Sequence, residues 1–241
     1  MAFFNSLSRF SILLILLGGL LSTTLSSQSN EDIPLAPSPT ANGVFLVPSG
    51  FGPEKGELYY QNITVFFNQF QYGASEQFSL GLSFELLSLF AALDSAQYRP
   101  GFTISPKVSV PIEDQDVQLG FGAMFVEIPD TDEFLDLGFV LGTATYGQKD
   151  RHISLGLGFG LVEGEFSVQP IYLCSGQYRL TKRWHFISEN IWIPAAELGM
   201  FNFGFRARGR QIHWDLGLIV SGERGKNFDR FPILGVVVPI P

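Results

Sequence analysis

Arg151-His152-Ile153-Ser154-Leu155-Gly156-Leu157-Gly158-Phe159-Gly160-Leu161 decides the fold. Ile153, Leu155, Leu157, Phe159 and Leu161 alternate with His152, Ser154, Gly156, Gly158 and Gly160. A strict period of two is a β-strand with two unlike faces. One face is large and apolar. The other is small and almost uncharged, where a water-facing strand would carry Lys, Glu or Thr. Glycine and serine suit a crowded space in which backbones approach one another. The stretch therefore reads as one stave of a transmembrane β-barrel, with the apolar set toward lipid and the small set toward a lumen.

Composition agrees. Charged residues make up 16% of the 241, against 46% hydrophobic, and an ordinary soluble domain carries roughly 25% charge. After the N-terminal region no apolar run approaches the roughly 18 to 20 residues of a membrane helix. The apolar residues are instead dispersed by alternation. A soluble secreted β-sandwich also alternates, but the shortage of charge favours lipid. The net charge of −8 and the lack of a basic patch argue against a nucleic-acid partner. The single cysteine, Cys174, excludes an internal disulfide and a multi-cysteine metal site. It is expected to be a small packing residue on a strand.

Residues 1–27 have the form of a secretory signal peptide: Arg9 in the n-region, an apolar stretch from Phe10 to Leu21, then small residues. Its removal takes away one positive charge and leaves about −9. Residues 28–42 are polar and proline-rich, which suits an extended periplasmic leader. Residues 43–241 are expected to form the barrel.

Several further staves alternate clearly. Phe78 to Phe90 carries Phe78, Leu80, Leu82 and Phe84 on one face. Phe102–Ile112, Val117–Phe125 and Gln211–Val220 do likewise, and in 135–141 Leu135, Leu137, Phe139 and Leu141 are expected to face lipid. Phe166–Tyr178, Arg183–Ile193, Leu198–Ala207 and Phe231–Ile240 complete the set less cleanly. Tyr59 to Tyr72 changes phase. A β-bulge near Asn68–Gln69 restores one face; a strand apolar on both faces is the other reading. Short connections (Gly73–Gln77, Glu113–Asp116, Gly147–Asp150, Arg179–Lys182, Arg208–Arg210) alternate with a set that includes longer ones, as between the two ends of an outer-membrane barrel. A leader that starts in the periplasm then requires one more upward strand, Val44 to Val47, and a loop over Pro48–Glu57. The expected fold is all-β: a transmembrane antiparallel up-and-down β-barrel of about 12 strands. Tyr72, Tyr146, Tyr178 and Trp184 would form the belt at the short-turn ends, with Tyr59, Tyr60 and Trp192 opposite.

Gly56-Glu57-Leu58-Tyr59-Tyr60-Gln61-Asn62, with Phe66-Phe67-Asn68, Tyr72-Gly73, Ile187-Ser188-Glu189-Asn190 and the Pro-containing strand Pro232–Pro241, resembles a family of uncharacterised Gram-negative outer-membrane β-barrel proteins. The resemblance implies a barrel in the cell outer membrane, and no established activity, ligand or catalytic residue. The end departs from the common pattern. Many such chains finish on an aromatic residue read by the barrel assembly machinery, whereas this one ends Ile240-Pro241.

Alternation places Glu85, Lys107 and Asp136 on lumen faces, as charges expected to pair with neighbours or, alternatively, to tune ion selection. The sharpest cluster lies near the periplasmic turns. Arg206 should point inward, because Phe201, Phe203 and Phe205 claim the lipid face. A two-residue turn at Arg208–Gly209 would set Arg206 opposite Gln211 and diagonal to His213. His185, Glu189 and Asp215 fall on the same inner face. A buried guanidinium needs acceptors, so Arg206 is expected near at least one of Gln211, His213, Asp215, His185 or Glu189. His152 and Ser154 share a face and could serve a hydrolase, though no orienting group or oxyanion donor accompanies them. No metal-ligand spacing and no cofactor motif is present. The reading that follows is a non-enzymatic outer-membrane barrel, a narrow pore for small solutes or a structural protein. Its partners would be membrane lipid, the assembly machinery and a possible solute. An outer-membrane lipid-modifying enzyme is the alternative.

Overall fold

A computed structural model describes Gly43 and residues 47–240, apart from 65, 95–99, 114, 128–136, 163–164, 224 and 226–227. The proposed signal peptide, the leader at 28–42 and Asp136 lie outside the described residues.

The strands are β1 (Leu58–Ile63), β2 (Phe67–Gly73), β3 (Phe78–Glu85), β4 (Phe102–Ile112), β5 (Val117–Glu127), β6 (Leu137–Gln148), β7 (Arg151–Val162), β8 (Glu165–Phe166), β9 (Ile171–Arg179), β10 (Trp184–Ile193), β11 (Leu198–Arg208), β12 (His213–Glu223) and β13 (Asp229–Ile240). Each wall strand pairs antiparallel with its neighbour in sequence, and β1 pairs with β13 to close the ring. The two-residue β8 only caps the end of β7, so the wall is a closed barrel of twelve strands.

The expected number is reached by a different route. The ring closes between β1 and β13; of the strand expected at Val44–Val47 only Val47 is among the described residues, and it is buried and in no strand. Tyr59–Tyr72 is not one bulged strand but two, β1 and β2, folded back at Thr64–Phe66 with Thr64 at φ 54°. β1 therefore climbs from the short-turn end, and Tyr59 and Tyr60 sit at that end, opposite Gln71 and Phe70. The upper pair of aromatics is Tyr172 and Trp192, which are cross-strand partners.

The stave read as Phe78–Phe90 also stops early. β3 ends at Glu85, whose carboxylate accepts hydrogen bonds from Leu87 N (2.9 Å) and Ser88 N (2.7 Å). These are orphan amides of a first helical turn, and α1 (Leu86–Asp94) follows. Glu85 thus caps the helix with its carboxylate. Similarly, the strand expected from Phe166 starts only at Ile171.

At the short-turn end, hydroxyls close the chain. Ser75 Oγ accepts from Phe78 N (3.0 Å) and Thr181 Oγ1 from Trp184 N (3.0 Å). β1 to β3 are only six to eight residues long, against nine to twelve for the other wall strands. The upper part of β13, Asp229–Pro232, consequently pairs with β12 alone among the described residues. Leu234 O accepts from Thr64 N (2.9 Å), so its backbone groups face β1. Pro232, two residues on, faces the same way and has no N–H to leave unmatched.

Alternation sorts the wall into two faces. Leu80, Leu82, Phe121, Ile153, Leu155, Leu157, Phe203, Phe205 and Leu216 are exposed on the outside, each about half accessible. β7 has the faces its sequence implies, with His152, Ser154, Gly158 and Gly160 buried. β6 is reversed from expectation. Thr143 and Thr145 point inward, and Phe139 and Leu141 share their face, packing with Val47, Ile171, Leu173, Ile191 and Ile193. A second inner cluster joins Ile63, Ile187 and Ile233 with Ile219. The lumen is therefore apolar in part.

Candidate functional site

The stretch Pro48–Glu57, expected as an external loop, turns inward instead: residues 47–53 lie inside the barrel and residues 54–56 are exposed at its end. Val47 and Phe51 are buried and Ser49 is fully so. The segment makes no ladder with the wall, so its backbone groups need side-chain partners. They find them on three strands. Val47 N donates to Glu189 Oε2 (2.9 Å) and Gly50 N to Thr145 Oγ1 (2.7 Å). Lys107 Nζ donates to Phe51 O. The Phe51 ring stands edge-on to His152, with centroids 5.3 Å apart and planes at 71°.

The seat depends on missing side chains. A Cβ at Gly120 would stand 2.6 Å from Thr143 Oγ1, 2.9 Å from Ser49 O and 3.1 Å from Gly50 Cα, so the Thr143 side chain and the Ser49 carbonyl would have to shift. The segment leaves at the short-turn end, where Gly56 N donates to Gly73 O (2.8 Å), Gly73 N donates to Glu57 O (2.9 Å), and Glu54 pairs with Lys149 at 2.7 Å. That ion pair holds the Glu54 carboxyl below its usual range, through the lysine's hydrogen bond and charge. Beside the segment, against Gln61, Gln71 and Lys107, remains a cavity of about 30 Å³.

Arg206 is fully buried on the inner face of β11. Its Nε donates to Asp215 Oδ1 (2.6 Å), its Nη2 to Asp215 Oδ2 (2.7 Å) and its Nη1 to Gln177 Oε1 (3.2 Å). A bidentate guanidinium–carboxylate pair is the arrangement in which a buried pair best offsets its desolvation. His185 is the cross-strand neighbour of Arg206, and His213 lies two residues from Asp215 on the same face. Both histidines are buried. Glu189, also on this face, serves the inner segment.

Gln211 does not join them. The turn spans four residues, 209–212, closed by Gly209 N donating to Ile212 O (3.0 Å), so Arg206 faces Asp215 instead. Adding two residues to a turn preserves the parity of the pairing. The inner and outer faces are therefore as read while the register slips, and Gln211 is exposed in the turn. Lys107 lies on the inner face as expected, but its partner is a backbone carbonyl. His152 and Ser154 do not bond each other: Ser154 Oγ lies 2.6 Å from Thr145 Oγ1, and His152 Nδ1 lies 3.3 Å from Gln148 O. Sequence reasoning missed Gln177 and Thr145. The signal for Thr145 was present in the inner glycines and hydroxyls, which leave volume for a second chain segment.

No family model matches the chain, and no curated protein matches it. Among solved structures it is similar to the NanC porin, at 8% sequence identity and a TM-score of 0.49, over 76% of this chain and 99% of that one.

Proposed function

We propose that the protein is a non-enzymatic outer-membrane β-barrel that holds its own lumen shut with residues 47–53, and that it passes small solutes when this segment leaves its seat. The belt of exposed Leu, Ile and Phe on the outer face supports the membrane reading, because hydrocarbon is the solvent in which such a surface is stable. Exposed Tyr72, Tyr146, Tyr178 and Trp184 at the short-turn end suit an interface. The observation that carries the gating is the use of three inner side chains, Lys107, Thr145 and Glu189, on the backbone of one segment. A purely structural barrel gains the same rigidity from large inner side chains.

Planar-bilayer recording tests it. The intact chain is expected to be nearly silent. The double variant Lys107→Met, Glu189→Gln is expected to show discrete conductance steps, with a heat-modifiable, compact band confirming that the barrel remains folded. Silence from a folded double variant would sink the pore and leave the structural role.

A further inference from the structure

The outer wall is not evenly greasy. β9 and β10 turn small side chains outward, Cys174 and Gly176 on one and Ser188 and Asn190 on the other, while the flanking strands turn out Leu155 and Leu157 on β7 and Phe201 and Phe203 on β11. The difference in side-chain volume cuts a furrow down the wall. Two concavities share Cys174 and Asn190: about 440 Å³ toward the short-turn end and about 720 Å³ above it. The polar groups of the floor are already engaged. Asn190 Nδ2 donates to Ser188 Oγ (3.1 Å) and Cys174 O (3.3 Å), and Ser188 Oγ donates to Asn202 O (3.1 Å). A hydrocarbon chain laid over them therefore strips no unmet donor of water.

Arg151 stands at the lower mouth. It is exposed on the outer face and lines the lower concavity, its guanidinium 5.6 Å from the centre of the Tyr178 ring. Exposed Lys182, Arg183 and Arg210 lie in turns of the same rim, whereas the turns after β2 and β4 hold Glu76, Glu113 and Asp116. A chain of net charge −8 thus gathers positive charge at the foot of the furrow. From Tyr178 to Tyr172 the furrow runs six residues, roughly 20 Å at about 3.3 Å per residue. At a strand tilt of roughly 40° this projects to about 15 Å, one leaflet of a core about 30 Å thick.

We propose that this furrow seats one anionic glycerophospholipid from the short-turn leaflet, its phosphate at Arg151 and an acyl chain over Gly176, Cys174 and Asn190. The inference rests on the membrane reading above. An acyl chain gains little by leaving lipid for protein, so the preference comes from the headgroup, where a guanidinium matches phosphate geometry. The furrow fixes where the chain lies.

Native mass spectrometry of the full chain, offered equal phosphatidylglycerol and phosphatidylcholine with the same acyl chains, tests the seat. The expected result is one phosphatidylglycerol retained in several-fold preference. Arg151→Ala should bring the ratio near one and Arg151→Lys should recover part of it. Cys174→Trp, which fills the furrow, should lower retention of both lipids while the heat-modifiable band persists. Equal retention of the two lipids by the unaltered chain, an unchanged ratio in Arg151→Ala, or undiminished retention in Cys174→Trp overturns the seat. A chain that stays in solution without detergent and holds neither lipid overturns the membrane reading as well, an outcome distinct from a detergent-requiring barrel without preference.

Discussion

Between β3 and β7 the inner wall carries small residues toward the short-turn end, among Lys107 and His152. Ser79, Ser109, Gly120, Thr145 and Ser154 leave a hollow, and residues 47–53 lie in it. Between β9 and β12 the inner polar residues toward the short-turn end include Gln177, His185, Arg206, His213 and Asp215, and Arg206 joins Gln177 and Asp215 across the strands. Close packing of the lumen is reached in one sector by a separate stretch of chain and in the other by the wall's own side chains. The first can in principle be emptied by moving one segment. The second empties only if the wall comes apart. An inserted segment and a brace thus sit in one barrel.

The brace should fail hardest. Asp215→Ala leaves the Arg206 guanidinium buried without its carboxylate, a change that costs about 3–5 kcal/mol in other proteins. Urea unfolding followed by gel mobility should show a large drop in midpoint while the folded fraction stays silent in bilayers. Conductance from folded Asp215→Ala would mean the two sectors are coupled. Exchanging the pair for apolar residues, Arg206→Met with Asp215→Leu, should cost less than the single change, because no charge is stranded.

Gly120→Val attacks the proposed gate. Its Cβ would stand 2.6 Å from Thr143 Oγ1 and 2.9 Å from Ser49 O, and such overpacking costs about 1–3 kcal/mol. Limited proteolysis of the folded barrel should then cut within residues 47–53, with conductance rising; an uncut segment would refute the seat. Lys107→Met alone leaves Phe51 O without this donor, a loss of about 1–3 kcal/mol that falls on the segment rather than the wall. Hydrogen exchange at the Gly50 amide should quicken while amides of β11 and β12 stay protected.

The smallest effect is expected at Glu54. Its pairing with Lys149 lowers the carboxyl's affinity for protons in the folded state, so its contribution is present above the ordinary carboxylate range and is lost as pH falls through the lowered value. Both side chains are substantially exposed, so Glu54→Gln should cost at most a few tenths of a kcal/mol. The difference between Glu54→Gln and the unaltered chain should vanish in acid and in high salt. A difference that grew in acid would reverse the assignment.

Much of this fold is legible in the sequence, and the failures are specific. β7 reads correctly because its two faces differ in size and chemistry. β6 reads backwards because both faces are apolar in its first half: Phe139 and Leu141 face Val47, while Val140 turns to the outside. A hydrophobic side chain records that it avoids water, not whether lipid or a protein interior shields it. The inward aim of Arg206 is legible because three phenylalanines occupy the other parity. Its partner Asp215, rather than Gln211, depends on a four-residue turn that no alternation encodes.

By itself the sequence determined the antiparallel barrel architecture and the inner face of most strands, because a period of two is local and repeats along each strand. Only the tertiary structure decided what fills the ring. Two errors in strand assignment offset each other in the strand number, since a lost strand at Val44 and a split at Thr64 leave the sum unchanged. The place of residues 47–53 follows from volume. Glycines and hydroxyls on strands distant in sequence meet around one hollow, and the segment that fits it is joined to them by hydrogen bonds spanning 56 to 142 residues of chain. Contacts of that range have no local signature, so the wall is written in its strands and the seat of the inner segment only in their closure.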